Sequence, residues 1–152
     1  LSSVAHQKSV EVRLHSLESA IYIDGDLLRL ERILRNLLTN AIDHAEGKPV
    51  DVMVLANESA VSIGVRDYGI GLSESQIPRV FDRFWRADPS RSRVRGGTGL
   101  GLSIAKEDAT LHGGEINVWG KLNAGANFVL TLPLRFGELI KAHPISAIPT
   151  SS

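Results

Sequence analysis

The sequence predicts an α+β fold, a two-layer α/β sandwich in which helices cover one face of a mixed β-sheet. Segments that alternate apolar and polar residues come in pairs, as the strands of hairpins do. Segments with apolar residues at helical spacing are grouped between those pairs. A doubly wound parallel sheet would need stricter alternation of strand and helix. The expected order of elements is ββαββααββ.

The first elements are two strands and a long helix. Residues 10–14 alternate in polarity and residues 20–23 form a short apolar run, so both are predicted strands. The Asp-Gly-Asp sequence at 24–26 interrupts this pattern and offers a helix cap. Leucine and alanine then recur at helical spacing, which predicts a helix over residues 27–45.

A hairpin and a short helix come next. Residues 50–54 and 61–65 alternate around the turn formers at 57–59, which predicts two antiparallel strands. A shorter helix is predicted over residues 74–84. The polar segment at 86–97, rich in Arg and Gly, shows no periodicity.

The last elements are a helix and a second hairpin. The helix is predicted to begin near Gly99 and to end at residue 111, before the glycine pair at 113–114. Strands are predicted over 115–120 and 127–133, joined by the turn Asn-Ala-Gly. We expect one domain over residues 1–135, followed by a disordered tail over residues 136–152.

Composition narrows the classes of function. The 152 residues fit one domain, since domains usually hold about 100–200 residues. The net charge is 0, so no overall field draws the chain onto nucleic acid or an anionic membrane. The chain has no cysteine, which excludes disulfides, thiolate metal sites and a cysteine nucleophile. No apolar run approaches the roughly 20 residues that span a bilayer, so we expect no direct membrane contact by this domain.

A polar stripe runs along the first predicted helix. Asn36, Asn40 and His44 are four residues apart and therefore lie on one side of the helix. The two asparagines could face solvent or bond a neighbouring backbone. Alternatively an Asn side-chain oxygen could ligate Mg²⁺, with phosphates and waters completing the octahedron.

The segment Asp-Tyr-Gly-Ile-Gly follows the strand that ends near Val65. Gly69 and Gly71 allow left-handed dihedral angles and close approach of another group, and Asp67 stands at the end of the strand. The segment is either a plain turn at the end of a strand or one wall of a ligand cleft.

A glycine-rich sequence, GGTGLGLS at 96–103, precedes the next predicted helix. Free backbone N–H groups and the helix dipole at such a place can receive phosphates. The spacing matches neither a P-loop nor a dinucleotide-binding fingerprint. A phosphate site and a hinge without ligand both remain open.

Aromatic and basic residues alternate just before that sequence, in FDRFWR at 81–86. Phe81 and Phe84 are interpreted as core residues that anchor a long loop. Arg83 and Arg86 could clamp phosphate oxygens, and a surface salt bridge is an equal alternative for each.

Four motifs in order resemble those of the ATP-binding catalytic domain of sensor histidine kinases, in the superfamily of DNA gyrase, HSP90 and MutL. NLLTNAIDHA is similar to the N box, DYGIG to the G1 box, FDRFWR to the F box and GTGLGLSIA to the G2 box. The likeness extends over about residues 20–133. It implies the Bergerat-type fold of histidine kinase ATPase domains.

The resemblance implies roles for the candidate residues, with ATP and Mg²⁺ as ligands. Asn40 would ligate Mg²⁺, Asp67 would accept a hydrogen bond from the adenine amino group, and the glycines of the G1 box would make room for the base. Residues 73–98 would form an ATP lid. The backbone from Gly97 through Thr98, Gly99 and Leu100 to Gly101 would meet the phosphates.

Two departures and one replacement qualify this assignment. Asp43 stands where many members have lysine, so His44 or an Arg would supply the positive charge. Ala126 replaces a usual threonine. Asn36 occupies the place of a glutamate that activates water in hydrolytic relatives, and because an amide cannot act as a base, the chain is suited to phosphoryl transfer.

The acceptor histidine of such kinases lies in a helical box that this sequence lacks. The implied partners are therefore a histidine-bearing dimerisation domain of the same kinase and a response regulator. The implied location is the cytoplasmic side of a parent anchored in the cell membrane. The alternatives are a nucleotide-gated ATPase or clamp of the gyrase and MutL type, and a serine-directed or inactive binding relative.

Overall fold

A computed structural model describes residues 10–16, 20–85 and 100–149 of the chain. Within them the helices and strands follow in the order β1 (Val12–Ser16), α1 (Leu27–His44), β2 (Val50–Ala56), β3 (Ala60–Asp67), α2 (Gly101–Leu111), β4 (Glu115–Lys121) and β5 (Gly125–Pro133). The predicted helix over 27–45, the later helix and both hairpins are confirmed, with ends that differ by a few residues.

The strands form one mixed sheet in the order β1-β2-β3-β5-β4. β1 pairs with β2 in parallel, and the other neighbours are antiparallel. Residues of α1 and α2 pack with alternate strand residues in one core, so both helices cover the same face. The predicted α+β sandwich is therefore confirmed.

Helix α1 is fixed by its cap and by its apolar side. The Asp26 carboxylate accepts hydrogen bonds from the backbone N–H groups of Leu28 and Arg29, at 3.0 and 3.3 Å. Ile33 and Leu37 are completely buried. Burial of such a side chain stabilises the fold by about 1.5–3 kcal/mol. The opposite, polar edge of the helix is left at the rim of the core.

Two predicted elements are wrong. Residues 20–23 form no strand; Tyr22 is exposed, and the Asp24 N–H donates to the carbonyl of Leu134 outside the sheet. Residues 74–84 form turns around a single 3-10 turn at Ile77–Arg79, where Pro78 has no N–H to continue a helical ladder. The order of helices and strands in the described residues is βαββαββ.

The segment after β5 also differs from the expected disordered tail. Residues 136–149 are irregular, and several of them form hydrogen bonds with the turn between β2 and β3 or with β5. Their contacts lie on the face opposite the helices. In the described part of the chain, no helix is both long and apolar enough to cross a membrane.

Candidate functional site

A small, open cleft lies between α1 and the sheet. Its lining is supplied by α1, by the end of β3, by the turn that follows and by β5: Asn40, His44, Asp67, Gly71, Leu72, Trp85, Ala126 and Phe128. Three of the four motifs singled out in the sequence therefore contribute a residue to one concave site.

Helix α1 contributes the polar stripe that its spacing predicts. Asn40 and His44, one turn apart, both line the cleft. Asn36 lies one turn earlier, beside the first turn of α2; a Cβ atom built on Gly101 would be 3.4 Å from Asn36 Oδ1. The stripe thus leads from the cleft to the N-terminus of α2.

Asp67 is the buried acid of the cleft, with 1% of its surface exposed. Its Oδ1 accepts a hydrogen bond from the Gly69 N–H at 3.0 Å, and the backbone N–H of Ala126 also bonds the carboxylate. Burial raises the pKa of Asp67 to about 6, against the opposing effect of these two donors. No ion pair within the described ranges neutralises it. The Arg66 charge also opposes the rise in the Asp67 pKa. A buried carboxylate without an ion-pair partner favours a ligand that brings a donor.

The two glycines of the Asp67 turn serve the protein's own packing. A Cβ atom on Gly69 would overlap the carbonyl oxygen of His44, where the Ile70 N–H donates at 3.3 Å. Gly71 has a φ of 74°, and a Cβ atom there would overlap the carbonyl oxygen of Lys121. Gly71 lines the cleft, whereas Gly69 fits the turn against the end of α1. The Cβ position of Gly69 is therefore occupied by the backbone of α1, and that Gly69 makes room for a base stays a prediction.

The aromatic residues divide into three roles. Phe81 is half-buried and meets Phe128 edge to face, with ring centroids 6.1 Å apart, so its interpretation as a core residue is confirmed. The same interpretation is wrong for Phe84, which is exposed and has a φ of 63°. Trp85 lines the cleft and was not predicted as a site residue. Its place inside the matching F box was the available signal.

The phosphate-binding candidates are only partly described. The Arg83 guanidinium is exposed and lies 3.4 Å from Glu107 Oε1, as a surface salt bridge. Leu100 and Gly101 lie at the N-terminus of α2. Residues 86–98 of the expected lid (73–98) lie outside the described residues, and so do the remaining candidates, which are Arg86, Gly97, Thr98 and Gly99.

The donor set of the cleft fits a magnesium ion carried by a nucleotide. No group of three or more His, Asp or Glu side chains in the described residues could hold a metal alone. Mg²⁺ commonly takes one or two protein oxygen ligands and completes its octahedron with phosphates and waters. The Asn40 amide supplies one such oxygen in the cleft.

Comparisons with known proteins agree with this geometry. The family model of histidine kinase-, DNA gyrase B- and HSP90-like ATPases matches residues 25–136. The sensor histidine kinase MtrB of Mycolicibacterium paratuberculosis is 47% identical over 98% of this chain and 27% of its own length. The histidine-protein kinase AfsQ2 of Streptomyces coelicolor is 47% identical over 76% of this chain and 21% of its own length.

Two solved structures have a fold similar to that of this chain. Full-length ShkA in complex with AMPPNP has a TM-score of 0.75 and 29% identity, over 90% of this chain and 28% of that one. The mycobacterial sensor histidine kinase MprB has a TM-score of 0.72 and 26% identity, over 89% of each chain. The present chain spans about a quarter of the length of the curated relatives that it matches.

Proposed function

The chain belongs to the family of histidine kinase-, DNA gyrase B- and HSP90-like ATPases, and from this premise we propose that it is the catalytic domain of a sensor histidine kinase. In this proposal the domain binds Mg-ATP and donates the γ-phosphate to a histidine on a separate dimerisation domain of the same kinase. A response regulator then receives the phosphoryl group. The parent is anchored in the cell membrane, with this domain on the cytoplasmic side.

The observation that carries the proposal is the buried carboxylate of Asp67 in a cleft that Asn40 also lines. An ionised carboxylate only accepts hydrogen bonds. Adenine presents an amino donor at its six position, whereas guanine presents a carbonyl oxygen there. Asp67 therefore selects adenine, and Leu72, Trp85 and Phe128 give the base an apolar surface.

In this proposal the phosphates lie toward the Asn36 end of the polar stripe on α1. Asn40 would hold Mg²⁺, and a bound Mg²⁺ neutralises charge on the phosphate oxygens. The N-terminus of α2 presents backbone N–H groups next to Asn36, and such an end attracts anions. In this proposal His44, which also lines the cleft, adds positive charge.

Asn36 favours transfer over hydrolysis. A hydrolytic clamp needs a general base to activate water, and a neutral amide cannot take up that proton. The sequence also lacks a histidine in the acidic, proline-containing context of a phosphoacceptor. The proposed product is therefore a phosphohistidine on another domain.

The experiment is phosphoryl transfer in trans. The domain is mixed with a separately made histidine-bearing dimerisation domain and with ATP labelled at the γ-phosphate, and the label on protein is tested for stability to acid and base. We expect an acid-labile, base-stable label that is absent from an acceptor whose histidine is replaced by glutamine. Acid-stable label on serine, no label, or rapid hydrolysis by the domain alone would contradict the proposal.

A further inference from the structure

The face of the sheet opposite the helices, here called the back face, is built to be covered. Ser62 on β3 and Thr131 on β5 lie on it and have no exposed surface, and their hydroxyl oxygens are 2.7 Å apart in a hydrogen bond. Residues 136–149, here called the C-terminal strap, run across this face. Two strands that would otherwise present polar side chains to water are thereby enclosed.

Polar groups of the β2–β3 turn and of β5 bind the strap. The Asn57 side chain donates to the carbonyl of Ala142 at 2.9 Å, and the Lys141 N–H donates to Ser59 Oγ at 3.4 Å. On β5, the Asn127 side chain donates to the carbonyl of Ala147 at 2.9 Å. In the strap, His143 Nε2 lies 2.6 Å from Oε1 of Glu115, which is on β4. Side-chain donors aimed at strap carbonyls indicate a specific docking surface.

A glycine in the middle of β3 lies beneath one strap side chain. Gly64 lies on the back face, and a Cβ atom built on it would be 3.9 Å from Ile145 Cδ1. A glycine inside a strand weakens the strand and often marks the close approach of another segment. Ile145 is half-buried, whereas Ile148 of the same strap is 67% exposed.

The strap meets the sheet directly behind the cleft. Asn127, which holds Ala147, lies between Ala126 and Phe128 on β5. Successive strand residues point to opposite faces, so both neighbours line the cleft on the helix side. The backbone N–H of Ala126 also bonds the Asp67 carboxylate. One strand therefore carries a strap contact and two parts of the nucleotide site.

We infer that the back face is a docking surface for the chain's own C-terminal strap, and that docking there holds β5 in the geometry required by the ATP cleft. The coupling to ATP rests on the proposed function, whereas the docking does not. Any event that lifts the strap would lower the affinity for ATP without touching a cleft residue.

The experiment uses the full chain with two matched pairs of variants. Ile145→Asp places a charge against Gly64, and its control Ile148→Asp changes an exposed position of the same strap. Gly64→Leu fills the space under Ile145, whereas Gly64→Ala fits at ordinary contact distance. Trypsin cleavage after Lys141 measures release of the strap, and calorimetric titration measures the affinity for Mg-ATP.

We expect Ile145→Asp and Gly64→Leu to speed cleavage after Lys141 and to weaken ATP binding about fivefold, the low end of typical coupling between sites. Both controls should match the parent. Unchanged cleavage in both Ile145→Asp and Gly64→Leu would overturn the docking, and faster cleavage with unchanged ATP affinity would overturn the coupling. A parent that does not bind ATP would refute the proposed function and the coupling, while the cleavage rates would still decide the docking.

Discussion

Arg32 donates two hydrogen bonds to Asp108, from Nε and Nη2, each 2.8 Å long. Arg29 adds a third bond at 3.1 Å. The Asp108 side chain is 1% exposed, and the hydrogen bonds from Arg32 hold its pKa below the usual range despite burial. This contact connects α2 to α1. The first turn of α2 faces Asn36. The proposed phosphate end of the site thus depends on one ion-pair cluster.

Asp108→Asn should lower the free energy of unfolding by about 1–3 kcal/mol, because a bidentate hydrogen bond between charged groups is lost. The partial exposure of the two arginines limits the size of this loss. Urea titration followed by circular dichroism measures the change. The control is Glu107→Gln, whose partner Arg83 is exposed, and it should cost less than about 1 kcal/mol. Equal losses in the two variants would contradict a special role for Asp108.

Gly69→Ala should destabilise the domain by about 1–3 kcal/mol or more, because the new methyl group would overlap the carbonyl oxygen of His44 and the turn would have to move. Thermal unfolding measures this loss. Gly64→Ala is the matched control, since its methyl group meets neighbours at 3.6–3.9 Å. A Gly69→Ala variant as stable as that control would show that the turn has room to spare.

The raised pKa of Asp67 predicts how the stability of the nucleotide-free domain depends on pH. Its folded pKa is raised from 3.8 to about 6, so the folded state binds the proton more tightly than the unfolded state. Stability from this group is fully present below about pH 4 and is lost as the pH rises through about 6. Asp67→Asn removes the titration, so its stability relative to the parent should increase by about 2–3 kcal/mol between pH 4 and pH 7.5. If the free energies of unfolding of the two proteins changed equally with pH, the raised pKa of Asp67 would be refuted.

Asn40→Ala should abolish the part of the ATP affinity that depends on Mg²⁺ and leave the fold intact, because the amide lies at the edge of the cleft and is only half-buried. Titrations with ATP in the presence of Mg²⁺ and in the presence of a chelator measure the difference. Arg35→Ala, an exposed change on the same helix, should behave as the parent does. A Mg²⁺ effect of the same size in Asn40→Ala would refute the ligand assignment.

Elements set by local chemistry could be predicted from the sequence. The Asp26 cap, the helical spacing behind it and the Asn57 turn all act within a few residues, and the structure has α1 and the β2–β3 hairpin where expected. The prediction of a strand over residues 20–23 was wrong because a short apolar run has the same pattern in a strand and in a packed loop. A bond from Asp24 to Leu134, remote in sequence, accompanies the loop.

The polar members of the site were accessible to sequence reasoning, and its walls were not. Asn40, His44 and Asp67 stand at spacings that a motif fixes. Leu72 and Phe128 are ordinary apolar residues, which reach the cleft only through tertiary packing. Gly69 was singled out as a place where another group approaches closely, and only the structure shows that the end of α1 does so.

Base selection by Asp67 tests the central claim most directly. At about pH 7.5, above its pKa of about 6, the carboxylate is mostly ionised and accepts from the adenine amino group. Loss of a hydrogen bond to a charged group costs about 1.5–3 kcal/mol, so Asp67→Ala should bind ATP at least about tenfold more weakly. Asp67→Asn should also bind ATP more weakly. Its preference for ATP over GTP should be smaller than that of the parent, because its amide can donate to the guanine carbonyl.

The measurement is calorimetric titration of ATP and GTP, each with Mg²⁺, against the parent, Asp67→Ala and Asp67→Asn. The account predicts that the parent prefers ATP and that Asp67→Asn shows a smaller preference. A parent that binds GTP as tightly as ATP, or undiminished ATP affinity in both variants, would contradict it and leave Asp67 as a residue of the turn alone.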